Sequence, residues 1–380
     1  MHLPRPVMTA AALVVLASVA LPLTAGEPRQ RGSVAASQPG GGVRATASDK
    51  APPLGANAAL TYYRVWSSVS EGDWKAVNEQ YPGTEFGKPL PESLHRVLES
   101  NRGQIEQLIK CSSMKHCDFG LDYSEGFAML LPHLSKMRSA VRLLAADARR
   151  CVAEGKLDEA ADRYAAVFGV ARHAGSDRVV ISSLVSVAVA CVPHGDLVEQ
   201  KGAAMLTAAG RAKVLAAIEK MNGAEGFGLK NALLGERDLA IDGTIAKYDG
   251  PDAGRRFEAE CLRIMGDPSG SHTGSGNEQA MVEKIRQMDG AALQAEARKL
   301  DPFYAACVKA WDSPDAVARL EELAEKAKGD EYGLLGRSLL PALSKCRQSQ
   351  DKGTKTMAEI AAALRKADQA ENQRDGKPSK

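Results

Sequence analysis

The stretch from Phe127 to Val192 constrains the fold most, because its apolar residues recur at helical spacing through three consecutive segments parted at Gly155 and Gly175. In the first, Leu130, Leu134, Met137, Val141, Leu144, Ala148 and Cys151 alternate steps of four and three, the seam along which one helix meets another. Pro132 either falls within the tolerant first turn or opens the helix itself, and Asp122 with Glu125 fits a capping box ahead of it. After Gly155, Leu157, Ala161, Tyr164, Phe168 and Ala171 form a facing stripe, and so short a connection sets the two helices antiparallel. The third segment, Asp177 to Val192, is apolar nearly all round, with Ser182, Ser183 and Ser186 as polar interior members. It predicts a buried helix of roughly 16 residues, short of the ~20 a membrane crossing needs, stopped by Pro193-His194-Gly195.

The rest of the chain also reads as helices. Asn57 should begin the ordered part with a short helix carrying Leu60, Tyr63, Val65 and Trp66, ended by Glu71-Gly72-Asp73. A helix after Pro91 runs to Ile109 and is open to a kink at Gly103; Leu206 to Met221 and Leu229 to Ile245 follow, parted at Asn222-Gly223. Residues 266 to 278, rich in Gly and Ser, form a loop and the best internal boundary. It separates a helical part, 57–265, from a second one, 279–350, with helices near 279–299, 302–311, 314–328 and 333–347. A last helix, Met357 to Ala370, has Thr356 and Glu359 as its capping box and precedes a polar tail within 351–380. The expectation is an all-α protein of irregularly stacked helical hairpins without a β-sheet. Leu130 to Arg138 and Leu339 to Arg347 agree at seven of nine positions, through duplication or through two similar helix starts.

The N-terminus bounds where such a chain works. A short basic start, an apolar block over residues 7–25 and the small residues at Ala25-Gly26 are the parts of a secretory signal. The expectation is an exported protein, with membrane anchoring through residues 7–25 as the alternative if the segment stays uncleaved. Residues 26–56, rich in Gly, Ala, Ser, Gln and Pro, read as a leader or linker. The net charge of +2 loses only Arg5 with the signal, a balance that argues against nucleic acid or an anionic membrane bound by bulk charge.

Seven cysteines in a chain read as exported invite disulfides, and an odd count leaves one unpaired or intermolecular. Cys111 and Cys117 are the candidate pair, open to a disulfide, to two unlinked thiols, or to metal binding together with His116. Cys151 and Cys191 read as small buried hydrophobes. No nucleophile elbow, zinc-protease helix, phosphate loop or haem-attachment motif occurs, and Gly226-Phe227-Gly228 is too short for a dinucleotide fingerprint, so no cofactor and no catalytic residue is assigned. Glu236, Arg237 and Asp238 read as surface charges.

Around Gly155 the chain resembles a tetratricopeptide hairpin, with small Ala148 in the first helix, Gly155 at the turn, and Ala160 and Tyr164 in the second. Cys151 replaces the usual aromatic, Arg172 the closing proline, and no second copy follows at the ~34-residue period. The resemblance implies a hairpin shape. More broadly, the Tyr62-Tyr63 helix, the Cys117 loop, the Leu-Leu-Pro-His-Leu run and the Ser182 helix resemble exported helical bacterial proteins of uncharacterised function. The functional expectation is a scaffold engaging a protein or peptide partner, with an exported enzyme, such as a hydrolase with a site between helical halves, as the alternative.

Overall fold

The computed structural model describes residues 57–221, 226–265, 276–327, 329, 331–335 and 343–375. The signal, the linker, the Asn222-Gly223 break, most of the 266–278 loop and the first four residues of the second Leu-Leu-Pro run, 339–342, lie outside them. Among the described residues there are fifteen α-helices and no strand; an isolated bridge joins Asn57 to His116.

Asn57 begins α1 (Ala58–Ser68): its side-chain oxygen accepts from Ala59 N at 3.1 Å and Asp118 N at 2.9 Å, so one residue caps the helix and pins it to a distant loop. Glu71-Gly72-Asp73 opens α2 (Glu71–Gln80) instead of ending α1, because the Ser70 hydroxyl accepts from Asp73 N and the two acids suit a helix N-terminus. Next come α3 (Glu92–Ser100) and α4 (Arg102–Ser112), which part at Asn101 rather than Gly103; the Asn101 amide donates to Val97 O and to Asp73.

Pro132 is the true start of α5 (Pro132–Ala153). Asp122 instead caps a 3-10 turn, Tyr123–Ala128, accepting from Ser124 N, so the proposed box with Glu125 does not open the long helix. The cause is Gly126, whose φ of 61° turns the chain and lets it lie against Gly243 and Thr244, where a Cβ would collide. Gly155, at φ 73°, then reverses the chain into α6 (Leu157–Ala174). Helix α6 is the hub, packing on α4 and α5 and on the two helices that follow, α7 (Val180–Ala190) and α8 (Ala208–Met221). Gly169 permits this: a Cβ there would lie 2.3 Å from Ser112 O at the end of α4.

The α-helix of the third segment ends at Ala190, capped by Cys191, just ahead of Pro193, as expected. After a turn at 191–192 the chain enters a π-helical turn, Gly195–Glu199. Val180–Glu199 taken together is long and apolar enough to cross a membrane, yet 72% of its apolar window is buried inside the protein.

The remaining helices are α9 (Leu229–Ile241), α10 (Ala253–Met265), α11 (Gly276–Arg286), α12 (Gly290–Arg298), α13 (Asp301–Trp311), α14 (Ala316–Ala327) and α15 (Leu343–Asp375). Sequence reasoning missed α10. It also merged α11 with α12, which Asp289 parts by capping α12 through Ala292 N. Helix α15 runs 33 residues straight through Gly353, so Thr356 and Glu359 cap nothing. Gly353 lies where a Cβ would come within 2.8 Å of Val187 and 2.9 Å of Phe227, so its lack of a side chain seats the helix on α7. Buried side chains from Ala58 to Leu364 form one hydrophobic cluster, and α15 joins it by packing on α7, α8 and α14.

Candidate functional site

A gathering of chemistry-bearing side chains lies where the 113–131 segment crosses α1, the start of α5 and the α6–α7 connection. Helix α1 supplies Tyr62, Tyr63 and Trp66; the crossing segment supplies Cys117, Asp118, Phe119 and Tyr123. His133, in the first turn of α5, stacks on Phe119 at 4.3 Å between ring centroids, and Phe119 stacks in turn on Trp66 at 5.9 Å.

Beneath these rings His133 Nε2 lies 2.7 Å from Asp177 Oδ2, which also accepts from Ser182 Oγ at 2.9 Å. A carboxylate holding an imidazole is the base-and-orienter half of a nucleophilic triad. The other half is not assembled: His133 Nδ1 finds no hydrogen-bond partner among the described residues, and the Ser182 hydroxyl is given to the carboxylate. Imidazole and carboxylate are both buried. The pair therefore reads as a polar plug that ties α5 to the α7 start.

A second buried histidine bridges the loop and α1. His173 Nε2 lies 2.8 Å from Met114 O and 3.0 Å from Arg172 Nη2, and its Nδ1 lies 2.9 Å from the Tyr62 hydroxyl. Burial first, then the charges of Arg172 and His116, push His173 down to about 4, against the bond to Met114 O. It is neutral at physiological pH and fixes the loop to the hub helix.

Cys111 and Cys117 are both buried beside Tyr62, but neither forms a disulfide; all seven cysteines are free. This corrects the disulfide expectation. Cys111 Sγ donates to Leu108 O at 3.4 Å within its own helix, as a packed thiol does. Burial pushes the Cys111 thiol up to about 12 and the Cys117 thiol higher still, so neither is a nucleophile at neutral pH. His116 is half-buried, and among the described residues no group of three or more His, Cys, Asp or Glu is placed to hold a metal ion. The intact mass should be the same with and without reductant, and alkylation of Cys111 and Cys117 should require denaturant; a reductant-dependent gain of two hydrogens would contradict this.

The hairpin residues are placed close to one another in the core. Ala148, Ala160 and Tyr164 are fully buried around the Gly155 turn. The Tyr164 hydroxyl donates to Asp196 Oδ2 at 2.9 Å, and Arg149 binds the same carboxylate at 2.8 Å while lying 4.6 Å above the Tyr81 ring. This network ties α5 and α6 to the π-helical turn. Sequence reasoning did not find it, because Asp196 carries no local signal that it faces inward.

Glu236, read from sequence as a surface charge, is half-buried and accepts from Val180 N at 3.0 Å; Arg237 does pair, with Asp301, Asp238 and Asp242. A cleft of about 30 Å³ between α9 and α12, lined by Ile241, Asp242, Ile245, Gln294 and Arg298, has room for roughly one water. Four of the six exposed large apolar side chains among the described residues lie instead on α1 and the crossing segment. Leu60 (49% exposed) and Tyr63 (41%) stand one turn apart on α1, with Tyr123 (37%) and Leu130 (78%) on the crossing segment. The Tyr63 and Tyr123 phenols are raised by burial first and next by Asp177, with Asp118 also contributing, so both flank the same two carboxylates.

No protein-family model, characterised protein or solved structure matches this chain.

Proposed function

We propose that this chain is an exported, non-catalytic helical scaffold that binds a protein partner through the face formed by α1 and the 113–131 segment. The observation that carries the reading is that exposed Tyr63 and Tyr123 both flank Asp177, with Leu60 one turn from Tyr63 and Tyr63 packed on the stacked Phe119 and Trp66 rings. Tyrosines of this kind offer large amphipathic contact area at low entropic cost, which is why they are enriched in interfaces. A buried plug beneath them fixes their backbone, so binding orders little further structure. The signal-like start supports export. The α5–α6 pair, with its small residues around Gly155, supports a tetratricopeptide-like unit that braces the face from behind.

The test places a photo-crosslinking residue at position 63 or 123, with exposed Lys75 on α2 as control, and exposes the full chain to an envelope extract. A discrete crosslinked band is expected at 63 and 123, absent at 75 and lost when Leu60→Glu is added. Equal labelling at all three positions, or turnover on a substrate panel with no crosslink, would sink the proposal.

A further inference from the structure

Helix α5 carries Arg138, Arg142 and Arg149 at helical spacing, so the three share one stripe, yet only the last of them meets a carboxylate. Arg149 binds Asp196 at 2.8 Å. Among the described residues Arg138 makes no hydrogen bond or ion pair, and Arg142 makes one bond, to a neutral group, donating from Nη1 to Asn78 Oδ1 at 2.9 Å. Asn78 is itself fixed, its Nδ2 donating to Ser139 Oγ at 3.0 Å. Both arginines are half-buried, so water alone does not surround their charges. The carboxylates of α2, the helix beside them, are engaged elsewhere: Glu71 with Lys136, Glu79 with Lys75, and Asp73 with the Asn101 amide. Burial lowers both guanidiniums, and Arg138 lowers Arg142 further, against the nearby Tyr81 phenol.

We propose that Arg138 and Arg142 form an oxyanion site on α5 beside α2, one that takes a phosphate group between the two guanidinium forks. Two cations one helical turn apart repel, and a dianion neutralises both where a carboxylate would neutralise one. A tetrahedral phosphate also offers separate oxygens to each fork, the arrangement in which arginine binds most strongly. Arg142 is the fixed half, oriented by Asn78; Arg138 is the half free to close on the anion. The Tyr81 phenol adds a donor near Arg142, since burial and then Asp196 push it up to about 12 and it keeps its proton. Asp196 does not oppose the anion, because Arg149 and the Tyr164 hydroxyl already hold it.

Inorganic phosphate titrated into the full chain at constant ionic strength, with arginine Nε–H signals followed by nitrogen-15 NMR, reads the site directly. Saturable shifts are expected at Arg138 and Arg142 and not at Arg64, exposed on α1. Arg142→Gln should weaken binding roughly tenfold or more. Arg138→Gln should do the same and, having no polar contact to lose, should keep the fold. Glycerol 3-phosphate in a parallel titration separates the sources: tighter binding than inorganic phosphate assigns the site to a phosphate monoester, and equal or weaker binding assigns it to the free ion. Shifts that never saturate, shifts at Arg64 equal to those at Arg138, or unchanged affinity in folded Arg138→Gln would overturn the proposal.

Discussion

Replacing Asp147 with alanine is expected to remove about 3–5 kcal/mol of folding stability, the largest single-residue loss anticipated for a charged position in this chain. Asp147 is fully buried on α5, and its two oxygens accept from two guanidiniums, Arg150 Nε and Arg163 Nε, each at 2.8 Å. Both arginines are themselves buried, and their outer nitrogens reach Glu154 and Glu99 from Arg150, and Glu106 from Arg163. Without the carboxylate, two like charges face each other between α5 and α6 with no inner counterion. Replacing all three, as Asp147→Leu with Arg150→Met and Arg163→Met, should recover most of the loss, because packed apolar groups need no compensating charge. The exposed pair Lys75–Glu79 is the contrast, where Lys75→Ala should cost about 1 kcal/mol or less. Urea unfolding followed by far-ultraviolet circular dichroism measures all three. An Asp147→Ala loss no larger than that of Lys75→Ala would show that the buried network is not holding the hairpin.

The second large effect is a pH dependence due to His173. Its folded value of about 4 lies below the ordinary 6.5, so its contribution is complete above 6.5 and is lost as pH falls through 4. In that window the unfolded chain binds the proton that the folded chain refuses, and the loss is on the order of 3 kcal/mol. His173→Gln should be less stable at neutral pH, through weaker bonding to Tyr62 and Met114, yet should lose less stability on acidification than the unmodified chain. Unfolding free energies at about pH 7 and about pH 4 give the comparison. Identical acid losses would contradict a neutral, buried His173.

Helix spacing was legible wherever a stripe faced a single neighbour. The α5–α6 reversal follows from Gly155 and two facing stripes, and the start of α1 follows from Asn57. What the sequence hid has three physical sources. Buried charge leaves no local trace: Asp147 and Arg150 lie on a helix enclosed by α2, α3, α4 and α6, so the side expected to be wet is also covered. Distant pairing leaves none either, as with Tyr62 and His173, 111 positions apart. Glycine is ambiguous in a helix pattern: Gly353 looks like a break but serves as a contact, its missing Cβ being the space that Val187 and Phe227 occupy. The His133 plug combines the second and third sources, since Phe119 reaches it only because Gly120, at φ 68°, and Gly126 bend the crossing segment.

The central claim is that α15, by returning onto α7 and α8, makes the described helices one cooperative core. Tryptophans report both ends of it: Trp66 and Trp74 are buried in α1 and α2, and Trp311 is buried in α13. Urea unfolding of Trp311→Phe, which leaves the N-terminal reporters, should therefore show the same midpoint as that of the double variant Trp66→Phe, Trp74→Phe, which leaves Trp311, once each is referred to its own circular dichroism transition. Two separated fluorescence midpoints, with the dichroism breaking into matching steps, would mean two independent cores and would contradict the account.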